Sequence, residues 1–480
     1  MSAADNDVAR AIAAIWRIES ASVVAHVARI TRDLGLAEDC AQDALVAALE
    51  HWPELGVPAR PGAWLMTAAK RRALDHLRHE RMAAPRHTQL GHELDIQSDI
   101  AAREFSEMVD ARLDDDIGDD LLRLIFTACH PVLAPEARSA LTLRVMGGLS
   151  TAEIARAYLK PEPTIAQRIV RAKRSLAAAH VPFEVPRGDA LHARLASVLE
   201  VLYLMFNEGY AATAGSAWMR PALCGEALRL GRVLAGLMPQ QPEVLGLLAL
   251  MEIQASRLGA RVDAQGSPIL LAEQDRRRWD HLLIRRGLDA LARAETLPGP
   301  LGPYALQAAI AACHARAAST DATDWTRIAA LYDALMQIAP SPVIALNRAV
   351  AVAMAFGADA GLELVDGLLT EPSLAQYHLL PAVRGDLLCR LGRASEARAE
   401  FERAAALAHN ERERALLRAR ARDADKTRDG GRRVAAAVGA LVGPSDASSA
   451  SRPNSSTMRI DGTPSTQRSS ESSPLGKKTP

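Results

Sequence analysis

The stretch that most constrains how this chain folds is GGLSTAEIARAYLKPEPTIAQRIVRAKRSL, residues 147 to 176. It predicts two helices joined by a tight turn. Ser150 stands where an N-cap belongs and Glu153 follows three residues later, the reciprocal arrangement in which hydroxyl and carboxylate each take an orphan backbone N–H. Leu149 and Ile154 occupy the staple positions around that cap. Ile154, Ala155 and Tyr158 recur at helical spacing. Leu159 to Glu162 is the expected turn, with Pro161 and Pro163 stopping one helix and starting the next. Thr164 is the expected cap of the second helix. Ile165, Ile169 and Ala172 form its apolar face, and Gln167, Arg168, Arg171, Lys173 and Arg174 cover the rest. A short helix, a turn and a basic helix is the layout of a helix-turn-helix, whose second helix enters the major groove while its cations neutralise phosphates. An αα-hairpin with a solvated basic face has the same pattern, and this stretch alone does not separate the two.

The surrounding composition is helical. Of 480 residues, 49 % are apolar but only 4 % aromatic, with Ala and Leu dominant, so the expected class is all-α. The length suffices for two or three domains with substantial cores. Lys plus Arg equal Asp plus Glu at 57 each, so no whole-chain charge argument for nucleic acid holds and only local charge matters. The five cysteines (Cys40, Cys129, Cys224, Cys313, Cys389) are scattered, which fits free thiols in a reducing cytoplasm. Cys129-His130 is the one pair that merits a look, and core packing explains it better than zinc. No signal-type N-terminus and no run long enough to span a bilayer are expected.

Residues 7 to 52 predict two amphipathic helices. The second, Ala37 to Trp52, sets Cys40, Ala44, Leu45, Ala48, Leu49 and Trp52 on an apolar stripe, with Glu38, Asp39, Gln42, Asp43 and Val46 off it. The acidic first turn suits the helix dipole and makes a compact patch for a partner helix; a solvated helix start reads the same way. Pro53 to Pro61 is the expected loop. Residues 60 to 82 then give a helix with Trp64, Leu65, Ala68, Leu74 and Leu77 buried. Lys70, Arg71, Arg72, Arg78 and Arg81 form a positive surface opposed only by Asp75 and Glu80, a pattern that fits binding of a DNA backbone or a plain solvated face. Residues 93 to 120 invert the charge, with eleven acidic residues against Arg103 and Arg112, and predict a flexible or loosely helical acidic linker. Residues 121 to 180 predict a four-helix unit that ends in the helix-turn-helix.

In order and content, three of these segments resemble a sigma factor of the sigma-70 family, in its extracytoplasmic-function (ECF) subgroup. AEDCAQDALVAAL resembles the region-2 helix that docks on polymerase, PGAWLMTAAKRRALDHLR the helix that recognises and melts the −10 element, and GLSTAEIARAYLKPEPTIAQRIVRAKRSL the region-4 helix-turn-helix that reads the −35 element. The resemblance implies that Asp39, Gln42 and Asp43 face core RNA polymerase. It implies that the loop from Glu54 to Pro61 captures a flipped −10 base. Trp64, Lys70, Arg71, Arg72, Arg78 and Arg81 would then face −10 DNA, and Thr164, Gln167, Arg168, Arg171, Lys173 and Arg174 the −35 element. Implied partners are the β′ clamp helices and β flap of polymerase and promoter DNA, not a membrane. Arg71, and Pro163-Thr164-Ile165-Ala166, depart from the common family pattern, which bears on which bases are read.

The implied domains are region 2 at 7–82, an acidic linker at 83–118, region 4 at 119–182, a helical extension at 187–425 and a disordered tail at 426–480. The extension resembles tetratricopeptide-like helix pairs fused to one ECF subgroup. Asp324 to Gly357 spans 34 residues with Trp325, Leu331, Tyr332, Pro340 and Ala349 in a helix–turn–helix frame, and a second unit ends at Leu391-Gly392, 35 residues after Phe356-Gly357. Two polar islands interrupt it, one with Asn207, Glu208 and Tyr210, the other with Asp275, Arg276 and Trp279. They predict an internal network, with a signal pocket as the alternative. No enzyme motif, cofactor or metal site is expected. The expected function is promoter-specific initiation with core polymerase, regulated in cis by the extension through contact with the sigma regions. The alternative is a helix-turn-helix activator carrying a repeat-type interaction domain.

Overall fold

The computed structural model describes residues 3–83, 113–158, 160–212, 218–271 and 273–424. The expected tail at 426–480 and most of the acidic linker lie outside these residues. Among them there are eighteen α-helices and no β-strand; bridge residues, such as Val262 with Pro268, are isolated. The all-α class follows from Ala- and Leu-rich sequence at helical spacing.

The first unit is α1 (Ala3–Thr31), α2 (Leu34–Leu55) and α3 (Pro61–Ala83). Asp33 caps α2 by accepting from the Leu36 amide at 2.9 Å. Three sequence expectations are corrected here. Helix α2 runs through Pro53 to Leu55, so the loop is only residues 56–60 and Glu54 lies in the last helical turn. The carbonyl that Pro53 cannot reach belongs to Leu49, which faces water, so the missing hydrogen bond costs little. Leu49 is itself 46 % exposed rather than part of the buried stripe. At the C-terminus of α2, Trp52 is buried and meets Trp64 of α3 edge to face, with centroids 5.3 Å apart. Helix α1 contains a stretch, Val8–Thr31, long and apolar enough to cross a membrane by length and composition, contrary to expectation. Half of that stretch is buried inside the protein, where Val23, Val24, Ala25 and Val27 pack in the core.

The second unit is α4 (Leu113–Ala128), α5 (Pro135–Val145), α6 (Thr151–Tyr158) and α7 (Glu162–Ala178). The end of the acidic stretch is regular helix rather than linker. Asp120 is buried and holds α4 on α1 through Arg29 at 3.0 Å and His26 at 3.6 Å, with Arg123 of its own helix at 2.5 Å. Gly148, at φ +62°, makes the turn before α6. A side chain there would be strained and would strike the Ser20 hydroxyl of α1.

The extension is α8 (Asp189–Tyr210), α9 (Pro221–Leu237), α10 (Pro242–Ala255), α11 (His281–Thr296), α12 (Pro303–Arg316), α13 (Trp325–Ile338), α14 (Pro342–Phe356), α15 (Ala358–Asp366), α16 (Leu379–Arg390), α17 (Ala394–Leu407) and α18 (Glu411–Asp423). Sequence neighbours pack on one another along most of this series, as in a stack of helical hairpins. Asp324 and Ser341 cap α13 and α14, and Gly357 and Gly392 carry positive φ at the ends of the two units delimited from the sequence. One continuous core runs from Ile12 through both N-terminal units to Ala312, and a second, centred on Phe401, serves the C-terminal hairpins. The extension meets the second unit through polar anchors as well. Arg138 of α5 pairs with Glu200 of α8 at 2.9 Å, and Arg194 and Arg229 donate to the carbonyls of Phe126 and Met146 at 2.7 Å.

Candidate nucleic-acid interface

The helix-turn-helix forms as its caps dictate. The Ser150 amide donates to Glu153 Oε2 at 2.8 Å and the Glu153 amide donates to Ser150 Oγ at 3.2 Å. Burial raises the Glu153 carboxyl, but the Ser150 hydrogen bonds and Arg17, at 2.9 Å, outweigh it and leave the pKa below its ordinary value. The second helix starts earlier than expected. Its N-cap is Pro161, and Thr164 lies inside the first turn, exposed and not capping. Proline lacks an N–H, so Pro163 fits a first turn whose amides have no intrahelical partner anyway.

On α7, Ile165, Ile169, Ala172 and Leu176 are buried. Thr164, Gln167, Arg171 and Arg174 are exposed and Arg168 is half-buried. Thr164, Gln167, Arg168, Arg171 and Ser175 border an open groove whose other wall is the turn from Val132 to Ala137. A cationic helix face bordered by small and hydroxyl residues can neutralise phosphates and present an amide side chain to base edges. Lys173 stands apart. Its Nζ lies 2.6 Å from Glu38 Oε2 of α2, so it faces the first unit, not the groove.

Glu38 is the residue that sequence reasoning misplaced. Read as part of an exposed acidic patch, it is 4 % exposed and joins α2 to two helices of the second unit: Arg144 Nε is 2.5 Å from its Oε1, and Lys173 takes Oε2. The helical wheel of α2 puts it off the local apolar stripe, and nothing local says that a second unit covers it. The rest of that first turn is as expected: Asp39 and Asp43 are exposed and Gln42 is half-buried. Val46, 51 % exposed, and Leu49 continue the same face and give it an apolar centre suited to a partner helix.

On α3, Leu65, Ala69 and Ala73 form the buried line, so the expected stripe is rotated slightly, and Ala68, Leu74 and Leu77 are half-buried. Arg71, Arg72 and Arg78 are exposed, the last 3.8 Å from Asp75. Lys70 and Trp64 are half-buried, and Arg81 lies in the last turn of the helix. Of the polar islands, Glu208 pairs with Arg220. Asp275 pairs with Arg277 at 3.0 Å. Asn207 is buried with neither amide atom bonded. Tyr210 and Trp279 are both brought to Arg257, with ring centroids 5.7 and 5.9 Å from its guanidinium. Arg257, Arg261 and His314 were not singled out from the sequence, because only the tertiary fold brings them to these rings. Among the described residues no cluster of His, Cys, Asp or Glu is arranged to hold a metal. The Cys129 thiol packs in the core against the Thr142 hydroxyl at 3.3 Å, and burial pushes its pKa up to about 11.

Two helical units with exposed cationic helices, the second a helix-turn-helix, are the arrangement that the sigma-70 resemblance implies. Residues 18–82 match sigma-70 region 2 and residues 123–176 match sigma-70 region 4, while residues 194–295 match a family of unknown function, DUF6596. The ECF RNA polymerase sigma factor SigK of Mycobacterium ulcerans (strain Agy99) is 31 % identical over 155 residues, 31 % of this chain and 75 % of the relative. SigL of Mycobacterium tuberculosis (strain ATCC 25618 / H37Rv), also an ECF sigma factor, is 27 % identical over 34 % of this chain and 81 % of its own length. An uncharacterized protein, R00370, of Rhizobium meliloti (strain 1021) is 45 % identical over 391 residues, 81 % of this chain and 90 % of the relative, so the similarity extends through the extension. No solved structure matches the chain. The chain belongs to the ECF family of sigma factors.

Proposed function

We propose that this protein binds core RNA polymerase in the cytoplasm, directs initiation at its own class of promoter, and is held in a closed form that polymerase or a signal opens. In this reading the face of α2 bearing Asp39, Gln42 and Asp43 docks on the β′ clamp helices, and region 4 contacts the β flap. The basic face of α3 engages the −10 element, and Thr164, Gln167, Arg168, Arg171 and Arg174 the −35 element. The observation that carries the closed form is the Glu38 junction. Elements named −10 and −35 lie about 25 base pairs apart, roughly 85 Å at about 3.4 Å per pair. Helix α3 is only about 35 Å long and packs on α2. With Lys173 of α7 on Glu38 of α2, the two reading faces are too near to engage both elements at once. Opening frees Lys173 to join the −35 surface.

The extension, in this proposal a tetratricopeptide-like stack acting as a regulatory domain in cis, braces region 4 through Glu200, Arg194 and Arg229. Promoter affinity falls steeply with salt, since phosphate contacts supply much of it. The test is run-off transcription with purified core polymerase and the full chain. A defined, sigma-dependent start supports the reading, stable binding to core without initiation supports a closed form awaiting a signal, and no binding to core removes it.

A further inference from the structure

A buried guanidinium needs a counter-charge or a full set of acceptors, and the extension gathers three arginines around one place where neither is complete. Arg257 and Arg261 line a cavity of about 90 Å³ walled by α8, α10, α12, α13, α14 and the loop before α11. Arg261 is 3 % exposed; its Nη1 donates to the Tyr210 carbonyl at 2.6 Å and its guanidinium lies 3.4 Å from the Tyr210 ring centroid. The Arg257 guanidinium lies 5.7 Å from the Tyr210 ring centroid and 5.9 Å from that of Trp279; it donates to Gln254 and has no partner for Nε. Behind it, Arg276 donates to the carbonyls of His314 and Ala317 at 2.5 and 2.6 Å.

Among the described residues no carboxylate pairs with any of the three. The neighbouring ones are committed elsewhere: Glu208 to Arg220, Glu252 to Arg232 and Arg286, and Asp275 to Arg277. The buried Gln274 also lines the cavity, with its Oε1 unpartnered. The rest of the wall is mixed: Leu250, Ile310, Leu335 and Ile344 are apolar, while Gln307, Tyr332 and Asn347 add polar groups, with Asn347 Oδ1 unpartnered. His314, beside the arginines, is neutral, its pKa pushed down to about 3 by burial and by Arg257 and Arg276.

We propose that this cavity binds a small organic acid, with its carboxylate between Arg257 and Arg261 and its apolar body against Leu250, Ile310 and Ile344. Guanidinium forks match a carboxylate, and the flanking rings hold them in place. The volume suits a molecule of a few heavy atoms and is too small for a nucleotide. Tyr210, a wall of the cavity, lies on the same helix as Glu200, the residue that holds region 4. The inference does not depend on the promoter reading, and its test requires neither polymerase nor DNA.

The experiment is calorimetric titration and thermal unfolding of the full chain with butyrate, succinate and benzoate, with butyramide as the neutral isostere and inorganic phosphate as the competing anion, at matched ionic strength. At least one carboxylate is expected to bind saturably with Kd of about 1 mM or tighter and to raise Tm, while butyramide does neither. Arg257→Met, which keeps the stem and removes the charge, is expected to fold with Tm equal to or above wild type and to weaken that carboxylate at least about tenfold. Arg261→Lys is expected to weaken it while leaving the fold intact. Silence of every carboxylate at about 100 mM, or unchanged binding in Arg257→Met, overturns the proposal. So does a lowered Tm in Arg257→Met without any ligand effect, which assigns the arginine a structural role. Phosphate binding tighter than every carboxylate overturns the organic-acid class.

Discussion

Replacing Glu38 by Gln removes the charge at the junction of regions 2 and 4 while keeping the side chain's volume. Glu38 meets Arg144 at 2.5 Å and Lys173 at 2.6 Å. Breaking a buried ion pair by removing one partner costs about 3–5 kcal/mol. Both cations here are 20 % exposed, so water recovers part of that, and Arg144 keeps the Leu149 carbonyl at 3.2 Å. The expected loss of closure is then about 2 kcal/mol, a shift of roughly 30-fold toward the open form. The first assay is amide hydrogen exchange, in which α2 and α7 should lose protection while the caps of α6 do not. The second is core-polymerase affinity, which should rise in Glu38→Gln. Lys173→Met should also open the junction but remove a phosphate contact, so its open form should bind −35 DNA with a shallower salt slope than that of Glu38→Gln. Unchanged protection of both helices together with unchanged core affinity would refute the closed-form argument. Removal of the extension is a poorer test, because α8 shares a core with α5 and its loss exposes that core.

Arg168→Ala and Arg171→Ala should leave folding stability within about 0.5 kcal/mol of wild type, since both side chains reach solvent, yet each should lower promoter affinity and reduce the salt slope by about 1; gel-shift titrations at several salt concentrations check this. His314, held neutral with its pKa near 3 against an ordinary 6.5, makes the unfolded chain bind the extra proton between those values. Its contribution is therefore complete above pH 6.5 and shrinks as pH falls, by about 1.4 kcal/mol per unit, or about 2 kcal/mol at pH 5. Denaturant titrations should show wild type losing that amount between pH 6.5 and pH 5, and His314→Gln lacking this part of the pH dependence. Trp52→Ala, which empties a fully buried site and removes the Trp64 contact, should cost about 3–5 kcal/mol of region 2 stability, seen as an earlier unfolding step in calorimetry.

Much of the fold was legible in the chain itself because helices are specified locally. Ser150 and Glu153 announce the start of α6, and Asp324 stands at the start of α13, each through hydrogen bonds made within a few residues. The apolar face of α7 and the exposure of Arg71, Arg72, Gln167 and Arg171 follow from periodicity alone. Periodicity erred where a helix end was decided by its surroundings, as when α2 continued through Pro53 and α7 began before Thr164.

What only the tertiary structure decided is which charges meet. Glu38 and Lys173 lie 135 positions apart and have unremarkable neighbours in sequence, yet the fold brings the Lys173 ammonium of α7 to the Glu38 carboxylate of α2 and turns a supposed DNA contact inward. Arg257 and Arg261 read as ordinary cations between α10 and α11, and become a pair without a counter-ion only because α8, α12 and α14 close around them. Helix formation is settled by neighbours a turn away, whereas burial and charge pairing depend on chain segments far apart in sequence, so the first is written in the local pattern and the second appears only on folding.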